Sequence, residues 1–236
     1  MSDRVRRASL HDLSEDRPIV VLAPHPDDES LGCGALLAAA FAGPGARVVC
    51  MTDGGASHRN SRDWPRARLA ALRANELEAA ILALGGTAGC ITRLGLPDAE
   101  MLELGPRYDE IAQEIAQVAQ AADARVLIAP APTDPHCDHE ATAEIAGLVA
   151  ARTGMRLLFY PVWSAWHDPA YRDRLPYLVE HRFDTSAARA AKSRAIAAHR
   201  SQHGEVVTDD PDGFVLPEAF LAAFGSGDEI FFESPI

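Results

Sequence analysis

Short, continuous apolar runs alternate along the chain with longer stretches of helical periodicity. Ile19-Val20-Val21-Leu22-Ala23 is the first run and predicts a strand over 19–23. Helix 30–42 follows, then strand 47–51, helix 65–84, strand 90–94, helix 106–122, strand 125–129, helix 139–152 and strand 156–160. Strands that are apolar on both faces and separated by crossover helices predict a parallel sheet covered on both sides, with right-handed connections. The expected fold is α/β: a Rossmann-like, doubly wound, mostly parallel sheet with helices on both faces. In the order 3-2-1-4-5 the first and fourth strands are neighbours at the switch point, where ligands bind. Gly43-Pro44-Gly45, Gly85-Gly86 and Gly154 fall where helices should stop. Beyond 161 the pattern weakens. Residues 161–177, with Trp163, Trp166, His167, Tyr171 and Tyr177, read as an irregular flap; a helix is expected over 187–203, and a short helix and last strand within 215–236. Residues 1–17 read as a loose arm, and 18–236 as one domain.

Composition narrows the classes without choosing among them. At 236 residues, 47% hydrophobic and 24% charged, the chain can bury a full-sized core. A net charge of -12 opposes binding to nucleic acid or anionic membranes. The basic run from Arg59 to Arg73 is interleaved with Leu and Ala at helical spacing and reads as a solvated helix face. The first residues lack the apolar centre of a signal peptide, and no apolar stretch reaches the roughly 20 residues of a membrane helix. A cytoplasmic location is therefore expected. Cys33, Cys50, Cys90 and Cys137 form no C-x-x-C pair, and their wide spacing predicts free thiols.

The chemistry sits at two strand-to-helix junctions. Pro24-His25-Pro26-Asp27-Asp28-Glu29 follows the first strand, and Asp134-Pro135-His136-Cys137-Asp138-His139 follows the fourth. Neighbouring strands would bring the two junctions to one site. A catalytic zinc takes three protein ligands and leaves a position open; His25, Asp28 and His139 supply such a set. Acids also accumulate at helix N-termini simply as caps, but capping explains neither His25 nor the second cluster. The helix that begins near His139 is expected to disfavour its protonated form.

These two motifs resemble those of the PIG-L/LmbE-like zinc-dependent de-N-acetylases, whose pattern is A/P-H-P-D-D-E followed by H-x-D-H. Lesser matches are Thr52-Asp53-Gly54, Arg73-x-x-Glu76-Leu77, Lys192-x-x-Ala195 and His199-x-Ser201-Gln202, so the resemblance spans about residues 18–205. It implies hydrolysis of an acetamido group, usually on N-acetylglucosamine or a derivative, with one Zn2+ per chain. Relatives act on free or phospholipid-linked aminosugars, on thiol-cofactor precursors and on their conjugates; a soluble small-molecule substrate is expected, and a homo-oligomer is compatible with it. Carried over residue by residue, the resemblance implies His25, Asp28 and His139 as metal ligands and Asp27 as general base. It implies His136 as oxyanion stabiliser, as an imidazolium where the site allows it, and Asp138 as a carboxylate that orients an imidazole. Arg73 is implied as a substrate contact, though a surface ion pair with Glu76 or Asp63 fits equally. Ser57 and His58 are expected at the rim. Lys192, with His199 and Gln202, is expected near the site, and Trp163 and Trp166 either stack on a sugar ring or pack the flap.

Rival readings are weaker. Gly32-Cys33-Gly34 lacks the third glycine of a dinucleotide fingerprint, because Leu37 stands there. His25-x-Asp27 with a remote His imitates an iron facial triad, but the chain reads βαβ throughout.

Overall fold

A computed structural model describes residues 5–175 and 178–233. Eight strands form one sheet: β1 Val5–Ala8, β2 Ile19–Ala23, β3 Ala46–Thr52, β4 Ile91–Leu96, β5 Val126–Pro130, β6 Arg156–Tyr160, β7 Val179–Phe183 and β8 Glu229–Glu233. Their order is β1-β7-β8-β6-β5-β2-β3-β4. From β4 to β6 all pairs are parallel, in the 3-2-1-4-5 order expected for the five strands legible in the sequence. Strand β8 inserts antiparallel between β6 and β7, and β1 adds parallel to β7. The switch point lies between β2 and β5, whose register pairs Ile19, Val20 and Val21 with Val126, Leu127 and Ile128.

Alternation along β2 explains the layers. Ile19, Val21 and Ala23 face one core with α2 (Asp28–Phe41), α3 (Arg66–Ala83), α7 (Arg189–Ala198) and α8 (Glu218–Ser226). Val20 and Leu22 face the other, with α4 (Tyr108–Ala121) and α5 (Cys137–Thr153). Helix α4 shows the period that places it: Ile111, Ile115 and Ala119 recur every fourth residue and are buried. Each of the two isoleucines contributes roughly 1.5–3 kcal/mol by leaving water. Helix α2 is buried along most of its length and needs close approach instead. A Cβ on Gly32 would lie 2.2 Å from the Tyr160 ring, so only glycine admits that ring, whose hydroxyl donates to the Leu22 carbonyl.

Two regions differ from the sequence reading. Residues 5–8 are not loose: they pair with β7, and the short α1 (Leu10–Ser14) is closed by a Ser9–Asp12 capping box and anchored by buried Leu13. The side chains of Val5, Arg6 and Arg7 remain exposed, so this edge strand is held by its backbone and leaves no apolar pattern to read. Strand β7 likewise carries no apolar signature, because Glu180, His181 and Arg182 disguise it. Its charges are matched: Glu180 meets Arg172 and Arg182, and His181 meets Glu233. Within 161–175 a short helix, α6 (Trp163–His167), and one turn of 3-10 helix replace the irregular flap; Tyr177 lies outside the described residues.

Candidate metal centre and active site

Both histidine-bearing junctions emerge at the C-terminal edge of the sheet, β2 feeding α2 and β5 feeding α5. Asp28 is the meeting point. Its Oδ2 lies 3.3 Å from His25 Nδ1 and 3.3 Å from His139 Nε2, and it also accepts the His25 main-chain N–H at 2.9 Å. The far nitrogen of each ring is held by a carboxylate: His25 Nε2 by Asp138 at 2.9 Å, His139 Nδ1 by Asp134 at 3.0 Å. Those bonds orient the rings and direct His25 Nδ1 and His139 Nε2 toward Asp28, where a metal would take the place of their protons. His139 Nε2 is buried without a hydrogen-bond partner among the described residues, as a donor atom awaiting a cation would be. Two imidazole nitrogens and one carboxylate in this arrangement fit a divalent ion with open positions.

His136 also lies close enough to His25 and His139 to share an ion with them. Two further groupings are less free: His25, Asp98 and Asp138 lie close enough to share an ion, as do His136, Cys137 and Asp138. Yet Asp138 already accepts from Ala99 N and Met101 N, and Asp98 from Ala56 N. Cys137 is also unsuited, since burial raises its thiol above the ordinary value.

Asp27 and His136 stand beside this cluster. A cavity of about 250 Å3 is lined by His25, Asp27, Asp28 and His136 at its polar end and by Leu31, Trp163, Phe214 and Leu216 along an apolar wall. Asp27 has φ 136° and ψ -31°, a region that L-residues avoid and that costs on the order of 1–3 kcal/mol. Burial pushes its carboxyl up to about 6, against the pull of Arg73. His136, by contrast, is pushed down to about 4 by burial and by His25 and His139. Its Nδ1 accepts the Asp138 N–H at 3.2 Å, leaving Nε2 as the protonated nitrogen of a neutral ring. An imidazolium at His136 is therefore disfavoured, and the neutral ring is the form this arrangement favours. The expectation for His139 reverses: burial alone would lower it, but the Asp28 charge and the Asp134 hydrogen bond raise it to about 9 in the metal-free site.

The profile of the family described as PIG-L: GlcNAc-PI de-N-acetylase matches residues 20–150. The chain belongs to the PIG-L family. It shares the fold of several solved structures. The A40926 pseudoaglycone deacetylase Dbv21 superposes with a TM-score of 0.67 at 22% identity, covering 92% of this chain and 96% of that one. The conserved protein TT1542 from Thermus thermophilus gives 0.61 at 25% identity, over 92% and 94%. The N,N'-diacetylchitobiose deacetylase from Pyrococcus horikoshii gives 0.60 at 22% identity, over 91% and 76%. No curated protein matches the sequence significantly.

As a PIG-L member the chain is a hydrolytic de-N-acetylase, and the remaining residues singled out by sequence divide into three groups. Arg73, Ser57 and Trp163 line the cavity. Arg73 is not a surface residue: it is buried, donating to the carbonyls of Gly54 and Pro26 and reaching Asp27 Oδ2 at 3.2 Å, while Glu76 binds Ser201 instead. His58 does not line the cavity. It is buried against Gly213, where a Cβ would meet its ring at 2.2 Å. Lys192 is also diverted: its Nζ caps the Leu31 carbonyl and pairs with Glu229 at 2.7 Å, and Glu229 takes the N–H groups of Ala35 and Leu36. Lys192 thus braces α2 behind the site and borders a second cavity with Trp166. Sequence reasoning gave no role to Asp98, Asp134 or Glu29. Asp134 lay inside the quoted cluster, and Asp98 follows β4 at the same sheet edge, which was the available signal.

Proposed function

We propose that this protein is a zinc-dependent hydrolase that removes an acetyl group from the amide nitrogen of an N-acetylglucosamine-type substrate. The observation that carries the reading is the convergence of His25 and His139 on Asp28, with Asp27 and His136 at the polar end of the same cavity. A divalent ion held by His25, Asp28 and His139 would acidify a water and polarise the acyl carbonyl. Asp27 takes the proton of the attacking water and returns it to the departing amine; a carboxyl near 6 is ionised at neutral pH yet basic enough to accept. Arg73 holds the Asp27 side chain from behind. The Nε2–H of neutral His136 donates to the oxygen on which negative charge develops. Asp138 keeps His25 in the required tautomer and Asp134 does the same for His139. The apolar wall around Trp163 suits the C–H face of a sugar ring. The described residues contain no helix long and apolar enough to cross a membrane.

Elemental analysis of the purified protein, run with acetate release from a panel of N-acetylated aminosugars, tests this. About one zinc per chain with acetate release is the expected result. Zinc without turnover on any acetylated sugar would move the reading to another acyl donor. A protein that no divalent ion can reconstitute would overturn it.

A further inference from the structure

We propose that Glu29 and His199 are positioning residues that hold the Asp27 main chain, and through it the Asp27 carboxylate, in the geometry needed for proton transfer. The inference rests on Asp27 being the general base. Asp27 occupies a positive-φ conformation that its own residue type does not favour, so something must hold it there. Glu29 does so: its Oε2 accepts the Asp27 N–H at 3.0 Å. Its Oε1 accepts from Ser30 Oγ at 2.6 Å and meets His199 Nε2 at 3.0 Å. Glu29 and His199 are both buried, and neither lines the cavity, so neither touches substrate.

A plain helix cap does not account for this. A cap uses one carboxylate oxygen, whereas here the second is also engaged, by Ser30 Oγ and by a histidine 170 positions away, just past the end of α7. The other junction has no such device. His136, which occupies the matching N-cap of α5, has an ordinary extended backbone at φ -144° and caps the helix with its own ring. The clamp accompanies the proposed base, whose side chain Arg73 holds from the opposite side. Main chain and carboxylate are thus fixed independently. The motif His199-x-Ser201-Gln202 gains a function as well: Ser201 grips Glu76 on α3, and Gln202 reaches Ser57.

The experiment compares Asp27→Asn, Glu29→Ala, Glu29→Gln, His199→Asn and the Asp27→Asn/Glu29→Ala double variant. Readouts are kcat, KM, zinc content and the residue-27 backbone in a crystal structure. Asp27→Asn should keep zinc and lose turnover. Glu29→Ala should lower kcat about a hundredfold, as small misplacements of reacting groups do, with KM and zinc content unchanged and φ at residue 27 leaving the positive region. Glu29→Gln, whose amide oxygen can still accept the Asp27 N–H, should recover most of that loss. Without the Asp27 carboxylate, Glu29→Ala should cost nothing further. Full activity in Glu29→Ala beside an inactive Asp27→Asn would overturn the positioning role and leave the base assignment standing. A loss that adds fully in the double variant would also overturn it. Full activity in Asp27→Asn would instead remove the base, and the proposal with it. Should Glu29→Ala fail to fold, His199→Asn carries the same readings.

Discussion

The two junctions that build the site look alike in sequence and differ in kind. At β5–α5, Asp134, Asp138 and His139 are wholly buried and all ordinary in backbone, and the carboxylates are saturated with donors: Asp134 accepts from Val162 N, Ser164 N and Ser164 Oγ, Asp138 from Ala99 N and Met101 N. At β2–α2, His25, Asp27 and Asp28 open onto the cavity, and Asp27 is strained. The β5–α5 carboxylates are a frame that presents His136 and His139 to the site; the β2–α2 junction carries the strained base and the carboxylate both metal-facing histidines share. The strained residue persists because Glu29 on α2, Arg73 on α3 and, through Glu29, His199 past the end of α7 over-determine it.

The most damaging change should strike the point where the halves meet. Asp28→Ala removes the carboxylate that both histidines face. Bound metal and turnover should fall by more than the roughly 10–100-fold typical of residues that only orient a ligand, read by elemental analysis and acetate release. Damage to the frame should be smaller and of another sort. Asp134→Asn leaves His139 in place but loosens its ring, and metal affinity should drop about 10–100-fold in chelator competition. Asp134→Ala also orphans the Val162 and Ser164 donors, adding a stability loss of roughly 1–3 kcal/mol per unsatisfied group, visible as an earlier denaturant midpoint. If Asp134 variants bound metal normally, the distinction between frame and reactive half would fail.

Much of this frame was legible because two physical signals coincided. Uninterrupted apolar runs gave β2 to β6 and their order, and His/Asp clusters directly after two of those runs had to share the sheet edge. What stayed hidden was polar and long-range. Strands β1 and β7 bury too little apolar surface to be read, since charge pairs and backbone hold them. Lys192 looked like a site residue, but its partner Glu229 lies 37 positions on, at the start of β8, and no local pattern announces that pair. His58 was expected at the rim beside Ser57, but the distant Gly213 packs against its ring, a contact no local pattern announces. Asp27 stood out in the sequence as a candidate base, but its strain did not, because that depends on Glu29 and on a histidine from the far end of the chain.

Acidity should separate the halves next. Burial raises Asp27 to about 6, and a general base works only when ionised. A bound divalent ion draws that value down, so with the metal site kept saturated kcat should fall toward low pH at or below about 6, and Asp27→Asn should abolish that limb. His25 and His139 are raised in the metal-free site by their carboxylate partners, despite burial that opposes it. A metal must displace those protons, so affinity should weaken toward low pH and binding should release protons in weakly buffered solution.

The mildest test leaves both junctions intact and removes only the wall opposite them. Trp163 packs 5.6 Å from Phe214 and 5.1 Å from Phe220, centroid to centroid, so its ring is held by its neighbours rather than by substrate. Those aromatic pairs are each worth about 0.5–1.5 kcal/mol beyond the area they bury, which keeps the ring face in place for a sugar to lie against. Trp163→Ala should accordingly raise KM a few-fold for an aminosugar substrate while kcat and zinc content stay near their normal values. A collapse in kcat instead would mean that the wall shapes the reactive junction, because Trp163 shares the cavity with Leu31, one helical turn from Asp28. The division of labour between the junctions would then extend to a third element, α6.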